Sequence, residues 1–355
     1  MTIAFVIPTL RAGGAERVAS RLTQYISKER KVITITWDGS NPGYCFGGEI
    51  IDLRLPAESN LFRKVIQQQR RIIKLREILI KYEVRQAIGI MESANVPLVL
   101  TRSQLKMPIH ISVTIHTTPD AFHGIMKWNM KRVYPRADRI VLLTKAGMTA
   151  HVREWGFPAD RCCVIPNPLD DTFLGTYPPL FQSRTPGLIV AVGRLTEIKG
   201  FGNLIEAFSK LINKDKYRMI ILGEGPLRPQ LEKQIERLEL ASLVTLHGFT
   251  NDTIPWLDKA SLYVLSSLNE GFPMALAEAM ARGCPIVSTD CSTGPGEMLR
   301  HEMNGLLVPV GNIDLLSQSM NRLLEDRVLA EKCGNEARNH SEQWAIERII
   351  PEWLI

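Results

Sequence analysis

The feature that most constrains this chain is an alternation of short β-rich runs with amphipathic helical ones, broken once by proline. Runs at 3–7, 32–37, 86–90, 109–115, 139–143 and 163–165 carry the branched and aromatic residues of strands, with helical periodicity at about 14–26 and 61–82 between them. Strands separated by helices predict βαβ units and a parallel sheet covered on both faces. At Pro166-Asn167-Pro168, and again through Pro178, Pro179 and Pro186, proline is too dense for a central strand or helix. The alternation then restarts, with strands at 188–192, 219–222, 244–247 and 262–265 and helices at about 201–211 and after Pro226. The expected architecture is α/β: two doubly wound Rossmann-like domains, 1–168 and 187–339, joined by a linker at 169–186 and facing a central cleft. A helix at about 340–355 is available to pack back onto the first domain. The length, 355 residues, agrees with two domains.

With 45% hydrophobic and 23% charged residues the chain is an ordinary globular one, neither disordered nor collagenous. No window holds the roughly 18–20 apolar residues of a membrane-spanning helix, so any membrane contact is expected to be peripheral. The first ten residues lack a basic leader and run directly into a glycine turn, so they read as a first strand and not as a signal peptide. Cys45, Cys162, Cys163, Cys284, Cys291 and Cys333 form neither a disulfide framework nor a metal ladder, and are expected to be the reduced thiols of a cytoplasmic protein.

Ligands of open parallel sheets gather at the carboxyl ends of the strands, so the loops there carry the candidate chemistry. After the first strand, Gly13-Gly14 at a helix start suits a phosphate or a sugar, and equally a tight structural turn. The GxGxxG spacing is missing, which disfavours a dehydrogenase. After the strand at 188–192, Gly193-Arg194 and Lys199-Gly200 place two cations in one loop. They can converge on a diphosphate, or simply be solvated surface charges. The sharpest segment is Glu270-Gly271-Phe272-Pro273-Met274-Ala275-Leu276-Ala277-Glu278. Pro273 suits a first helical turn, leaving Glu270 in the loop and Glu278 inside the helix. One carboxylate can accept from sugar hydroxyls and the other hold a ribose, with the N–H groups around Gly271 to Leu276 facing phosphates between them. A dipole-favoured Glu plus a surface Glu is the plainer alternative. The apolar neighbours Leu276, Ala277, Ala279 and Met280 nevertheless mean that the Glu278 carboxylate needs a partner.

Taken in order, Gly193-Arg194 with Lys199-Gly200, Gly223-Glu224-Gly225-Pro226, His247-Gly248-Phe249, the Glu270 and Glu278 pair, and Asn304-Gly305-Leu306-Leu307-Val308-Pro309 resemble family 4 glycosyltransferases. Gly13-Gly14 and His116 carry the likeness into the first half. The resemblance implies a GT-B fold, retention of configuration at the anomeric carbon, and no metal or other cofactor, with a nucleotide sugar as co-substrate. It implies catalytic roles for Glu270, His116, Arg194 and Lys199. Arg194 and Lys199 would bind the donor diphosphate, Glu278 the ribose, and Glu270 and His116 the donor sugar. Gly13 and Gly14 would approach the donor, and Gly193, Gly223, Glu224, Gly248, Phe249, Gly271, Phe272, Pro273, Met274, Ala275 and Leu276 would complete its site. The implied mechanism is electrostatic: cations and helix-end amides stabilise the departing diphosphate while an acceptor hydroxyl attacks an oxocarbenium-like sugar on the same face.

The stretch Ser288-Thr289-Asp290-Cys291-Ser292-Thr293-Gly294-Pro295-Gly296-Glu297 is similar to bacterial enzymes that build O-antigen, capsule or lipid-linked oligosaccharides with hexose or N-acetylhexosamine. That likeness implies a UDP-sugar donor and a polyprenyl-diphosphate-linked or glycan acceptor. Glu297 reads as a donor contact or as an ordinary helix-start glutamate. The competing readings are a GT-B nucleotide-sugar enzyme of another reaction, an epimerase or small-disaccharide synthase, and a non-catalytic sugar-nucleotide-binding subunit. No cation cluster interleaved with stacking aromatics marks a nucleic-acid module.

Net charge is +6, yet residues 1–168 hold 25 Lys and Arg against 13 Asp and Glu, so the excess belongs to the first half. Within it, the helix at 61–82 is expected to set Arg63, Gln67, Arg70, Lys74 and Lys81 on one side and Val65, Ile72, Leu75 and Leu79 on another. A second segment, 122–139, carries Lys127, Trp128, Lys131, Arg132, Tyr134, Arg136 and Arg139. Charge runs are ordinarily solvated faces. Here the expectation is contact with an anionic membrane surface, on the inner face of the cytoplasmic membrane, or with a lipid diphosphate.

Overall fold

Among the described residues thirteen strands fall into two parallel sheets. The first contains β1 (Thr2–Thr9), β2 (Lys31–Asp38), β3 (Glu49–Asp52), β4 (Val84–Gly89), β5 (His110–Ile115), β6 (Arg139–Leu142) and β7 (Cys162–Val164), in the order β3-β2-β1-β4-β5-β6-β7. The second contains β8 (Thr185–Val192), β9 (Arg218–Leu222), β10 (Val244–Gly248), β11 (Ala260–Leu265), β12 (Ile286–Asp290) and β13 (Leu306–Pro309), in the order β10-β9-β8-β11-β12-β13. These are the two Rossmann-like sheets expected from the alternation. In β1 the five successive residues Ile3 to Ile7 are fully buried, which requires helices on both faces of the strand.

The computed structural model describes every residue except Ala12, Ser59, Thr176 and Tyr177, and the side chain of Leu61. Ala12 of the first glycine loop, and Thr176 and Tyr177 of the proline-rich break, therefore lie outside the described residues. The chain forms two compact units, Met1–Pro168 with Ile346–Ile355, and Leu169–Ala345. Ile346–Trp353 is a helix with Ile346, Ile349, Ile350 and Trp353 buried at i, i+3, i+4 and i+7. It is tied to the first sheet where Gln86 Nε2 donates to the Trp353 carbonyl at 2.6 Å and Arg139 donates to the Glu352 carbonyl at 2.9 Å.

The segment 169–186, expected as a linker, belongs to the second unit. Asp171–Leu174 forms a helical turn, and Arg184 is buried, donating to the carbonyls of Leu257 at 2.7 Å, Ala260 at 3.0 Å and Arg282 at 2.5 Å. Proline excludes regular structure but not burial, because an arginine fork can satisfy carbonyls that helix and strand ends leave open. The long helix Leu61–Lys81 is capped by Asn60, whose side chain accepts from the amides of Phe62 and Arg63. Ile72, Leu75 and Leu79 face inward as the periodicity predicts, but Val65 is exposed and Gln67 is buried. Residues 62–66 are all exposed, so the first turns of this helix run past the packed core. Among the described residues no helix is long and apolar enough to cross a membrane.

Candidate active site

Strand order fixes where a ligand can sit. In the second sheet the order reverses between the neighbours β8 and β11, the crevice where open α/β sheets take ligands. The loops that follow these two strands carry Arg194 to Gly200 and Ser266 to Pro273. They meet because residue 200 is glycine: its φ is +62°, and a Cβ there would lie 2.1 Å from the Ser266 carbonyl oxygen. At that close approach the Leu268 amide donates to the Ile198 carbonyl at 2.8 Å, and the Ser266 hydroxyl donates to the Lys199 carbonyl at 2.9 Å.

The consequence is a pairing that no sequence spacing shows. Lys199 Nζ lies 2.5 Å from Glu270 Oε1, and the Ser267 hydroxyl donates to the same oxygen at 2.6 Å. The side chains are 26% and 9% exposed, so the pair is sheltered yet open on one side. Oε1 carries both bonds, and among the described residues Oε2 has no partner. The turn is held from behind. The Thr293 hydroxyl donates to the Glu270 carbonyl, Gly294 lies where a Cβ would be 2.8 Å from the Gly271 carbonyl oxygen, and Thr289 Oγ1 and Cys291 Sγ both donate to the Ser267 carbonyl. Burial pushes the Cys291 thiol up to about 11, which disfavours the thiolate. Ser266, Ser267, Thr289 and Thr293 were not singled out by sequence reasoning; the Ser-rich turn before Asn269 and the Thr293-Gly294-Pro295-Gly296 run were the available signals.

Arg194 is exposed and bonded to neither Lys199 nor Glu270. Gly193, Gly223 and Gly248 line up across β8, β9 and β10: a Cβ on Gly223 would lie 1.9 Å from the Gly193 carbonyl oxygen, and the Gly223 amide donates to the Gly248 carbonyl at 2.8 Å. They leave a bare backbone floor. Beside it Phe249 is exposed, and Glu224 is paired with Arg228 at 2.5 Å, whose guanidinium holds that carboxyl below its ordinary range. Phe272 packs edge-on against Trp344 at 5.4 Å. Pro273 caps the helix Met274–Ala281, and the Leu276 amide is committed to the Pro273 carbonyl, which leaves Met274 and Ala275 as the helix-start amides without an intrahelical acceptor. Glu278 is only 2% exposed, with the Thr253 hydroxyl 3.4 Å from Oε2.

In the first sheet the order reverses between β1 and β4. Gly13 caps the helix Gly14–Ile26, but the space above it is occupied: a Cβ there would lie 2.2 Å from Glu16 Oε2, while Gly14 faces open space. The buried Glu16 carboxylate accepts from the Thr9 hydroxyl at 3.1 Å. After β5, the Thr114 hydroxyl spends its one proton on the Gly89 carbonyl at 3.0 Å, so at its 3.0 Å contact with His116 Nε2 it must accept. The network therefore assigns the proton of His116 to Nε2 and leaves Nδ1 as a bare acceptor. Desolvation lowers the His116 pKa to about 4, in keeping with a neutral ring. Glu92, at the start of the helix Glu92–Thr101 and also unremarked in the sequence, has its pKa raised by burial. Among the described residues no three His, Cys, Asp or Glu side chains are grouped so as to hold a metal ion.

Residues 180–340 match the domain family described as glycosyl transferases group 1, and residues 12–173 match glycosyltransferase family 4. The chain belongs to the GT-B glycosyltransferases. An exopolysaccharide phosphotransferase of Streptomyces coelicolor is 33% identical over 62% of this chain and 23% of its own length. The N-acetylgalactosamine-N,N'-diacetylbacillosaminyl-diphospho-undecaprenol 4-alpha-N-acetylgalactosaminyltransferase of Campylobacter jejuni is 29% identical over 65% of this chain and 62% of its own. The chain thus spans less than two thirds of both. A second Campylobacter jejuni relative, GalNAc-alpha-(1->4)-GalNAc-alpha-(1->3)-diNAcBac-PP-undecaprenol alpha-1,4-N-acetyl-D-galactosaminyltransferase, is 24% identical over 100% of this chain and 97% of its own. Among solved GT-B structures, HepE of Anabaena in complex with UDP superposes with a TM-score of 0.83 at 19% identity, over 99% of this chain and 98% of its own; it has also been solved with UDP-glucose.

Proposed function

We propose that this protein is a retaining, metal-independent hexosyltransferase that moves a hexose or N-acetylhexosamine from a UDP-sugar to a lipid-linked or glycan acceptor in cell-surface polysaccharide synthesis. The observation that carries this reading is the Lys199–Glu270 pair at the reversal point of the second sheet, beside a glycine floor and the helix-start amides of Met274 and Ala275. A nucleoside diphosphate needs cations and amides at one end and hydroxyl acceptors at the other. Lys199 uses one of its three protons on Glu270 and keeps two for phosphate oxygens, and the exposed Arg194 is free to add its fork. Glu270 is oriented through Oε1, which leaves Oε2 to accept a sugar hydroxyl and makes it a positioning carboxylate, not a covalent nucleophile. Glu278 is the candidate ribose partner. As the bond from the anomeric carbon to the diphosphate breaks, the electron pair goes to the phosphate oxygen and the cations stabilise that charge, while the acceptor oxygen bonds to the anomeric carbon on the same face and gives its proton to the departing phosphate. In the first unit, Glu16 over Gly13 and the bare Nδ1 of His116 are acceptors, which favours a hydroxyl-bearing sugar over a phosphate on those loops. UDP as the nucleotide is supported by the HepE complexes, and the acceptor class by the names of the Campylobacter relatives.

Thermal unfolding in the presence of UDP-, ADP- and GDP-sugars tests the donor. Selective stabilisation by a UDP-sugar is expected, about 2.7 kcal/mol at a hundred times its Kd. Turnover should fall by orders of magnitude in the Arg194→Ala/Lys199→Ala variant. Transfer at the wild-type rate by that variant would refute the assignment, and UDP release without an acceptor would favour a different nucleotide-sugar reaction.

A further inference from the structure

The first unit carries an apolar surface that neither its core nor its site loops account for. On the helix Leu61–Lys81, one face is buried through Ile72, Leu75 and Leu79, yet Phe62, Ile66, Ile73 and Ile80 are exposed, Phe62 by 74%. Their spacings of four, seven and seven residues set them on a single stripe, roughly 27 Å long at 1.5 Å per residue. Arg63, Arg70, Lys74 and Lys81, spaced by seven, four and seven, run alongside it, about a quarter turn away. A second patch lies on the helix Gly124–Val133, where Ile125 and Trp128 are 71% and 57% exposed and Met126 is also open, beside Lys127, Lys131 and Arg132. The Arg132 guanidinium lies 4.8 Å over the Trp128 ring. Both helices pack against the helix Glu92–Thr101, so the patches sit on neighbouring elements of the same unit.

We propose that this surface docks the protein onto an anionic phospholipid bilayer, the two apolar patches entering the boundary between headgroups and acyl chains and the adjoining cations meeting lipid phosphates. Charge decides the occupant. The long helix bears seven Lys and Arg against one acid, Glu77, and the shorter helix bears three cations and no acid. A second copy of the chain would bring identical cation rows together, whereas an anionic lipid surface meets both the charge and the apolar stripe. An exposed tryptophan whose ring is covered by an arginine is the amphipathic side chain expected at a membrane–water interface. The proposal rests on the lipid-linked acceptor reading above for its purpose, since an enzyme of such acceptors works where its substrate is anchored, but the surface can be tested independently of catalysis.

The test is co-sedimentation of the full chain with vesicles of phosphatidylcholine alone or mixed with phosphatidylglycerol, with tryptophan emission recorded in parallel. Binding to the mixed vesicles alone is expected, weakened by salt, with a blue shift of emission that Trp128→Ala removes. At about 1 kcal/mol for each basic residue near an anionic surface, Arg63→Gln/Arg70→Gln/Lys81→Gln should partition on the order of a hundredfold more weakly. Phe62→Ser/Ile73→Ser should also bind more weakly, with the salt dependence retained. Any of three results would overturn the proposal: no binding to the mixed vesicles at low salt, variants that bind as the wild type does, or a concentration-dependent dimer in analytical ultracentrifugation that the Phe62→Ser/Ile73→Ser change dissolves. UDP-induced thermal stabilisation of the same proteins separates the two readings. If it is retained in the variants, they are folded and the vesicle result stands. If it is absent from a wild type that binds vesicles, the donor assignment fails while the membrane surface holds.

Discussion

Gly200→Ala separates loop geometry from mere composition at the site. Residue 200 sits at φ +62°, where an alanine costs about 1–2 kcal/mol. Its Cβ would also lie 2.1 Å from the Ser266 carbonyl oxygen, a backbone atom that cannot swing aside. Relief requires the two loops to part, and parting breaks the Leu268-to-Ile198 and Ser266-to-Lys199 bonds, worth about 1 kcal/mol each. A loss of about 3–4 kcal/mol follows, and at about 2–4 °C per kcal/mol for a domain of this size the melting temperature should fall by roughly 10 °C. Lys199 would be displaced from Glu270 as well, and a misplacement of about 1 Å can cost about a hundredfold in turnover. The assays are thermal unfolding, UDP titration and sugar transfer, with Gly14→Ala as the control for thermal unfolding alone. Among the described residues, apart from its chain neighbours and its own helix backbone, no heavy atom lies within 4 Å of that added methyl, so its stability should be unchanged or slightly raised. A Gly200→Ala protein that melts within about 2 °C of the wild type, or that transfers sugar normally, would refute the reasoning.

Two further outcomes follow from a half-buried histidine and a buried arginine. Because the His116 pKa is lowered from 6.5 to about 4 in the folded chain, the unfolded state takes up the proton first on acidification. Stability should therefore be lost as the pH falls from about 6.5 towards 4, and His116→Gln should flatten that limb in acid unfolding curves; an unchanged limb would count against the neutral assignment. Arg184→Met keeps the length of the side chain but removes the guanidinium donor from the carbonyls of Ala260 and Arg282 and leaves that of Leu257 only the Cys284 thiol, at about 1–3 kcal/mol for each buried acceptor left unpaired, so melting temperature should drop and the 169–186 segment should become open to protease. Resistance equal to that of the wild type would show the arginine to be dispensable.

Most of the sheet pattern was legible because parallel strands buried on both faces are continuous apolar runs, as Ile3 to Ile7 and Leu188 to Val192 are. Three strands escaped: β3 because Glu49-Ile50-Ile51-Asp52 is a short edge strand, half of it charged, and β12 and β13 because Ile286–Asp290 and Leu306–Pro309 are only five and four residues long and run straight into glycine- and proline-rich turns. In the site, the residue types at Arg194, Lys199, Glu270 and Glu278 were readable, but their pairings were not. Lys199 and Glu270 are 71 positions apart and meet only because Gly200 admits a neighbouring carbonyl. Likewise, Glu16 looks like any first-turn glutamate until the structure lays its carboxylate over Gly13. The exposed stripe of the long helix was hidden for the opposite reason: isoleucines at helical spacing read as core, and only packing shows which of two apolar faces the core uses.

The helix Ile346–Trp353 has a consequence for how the chain is made. It completes the first unit, whose other residues end at Pro168, so the whole second unit is translated in between. During synthesis the first sheet emerges with Gln86 and Arg139 lacking the carbonyls of Trp353 and Glu352, and it must wait for residues 346–353 to be closed. The first unit is thus closed only after the second has been made. The two units are stitched at two crossings, and a nascent chain that stalls after residue 345 would leave the first unit unfinished however well the second had folded.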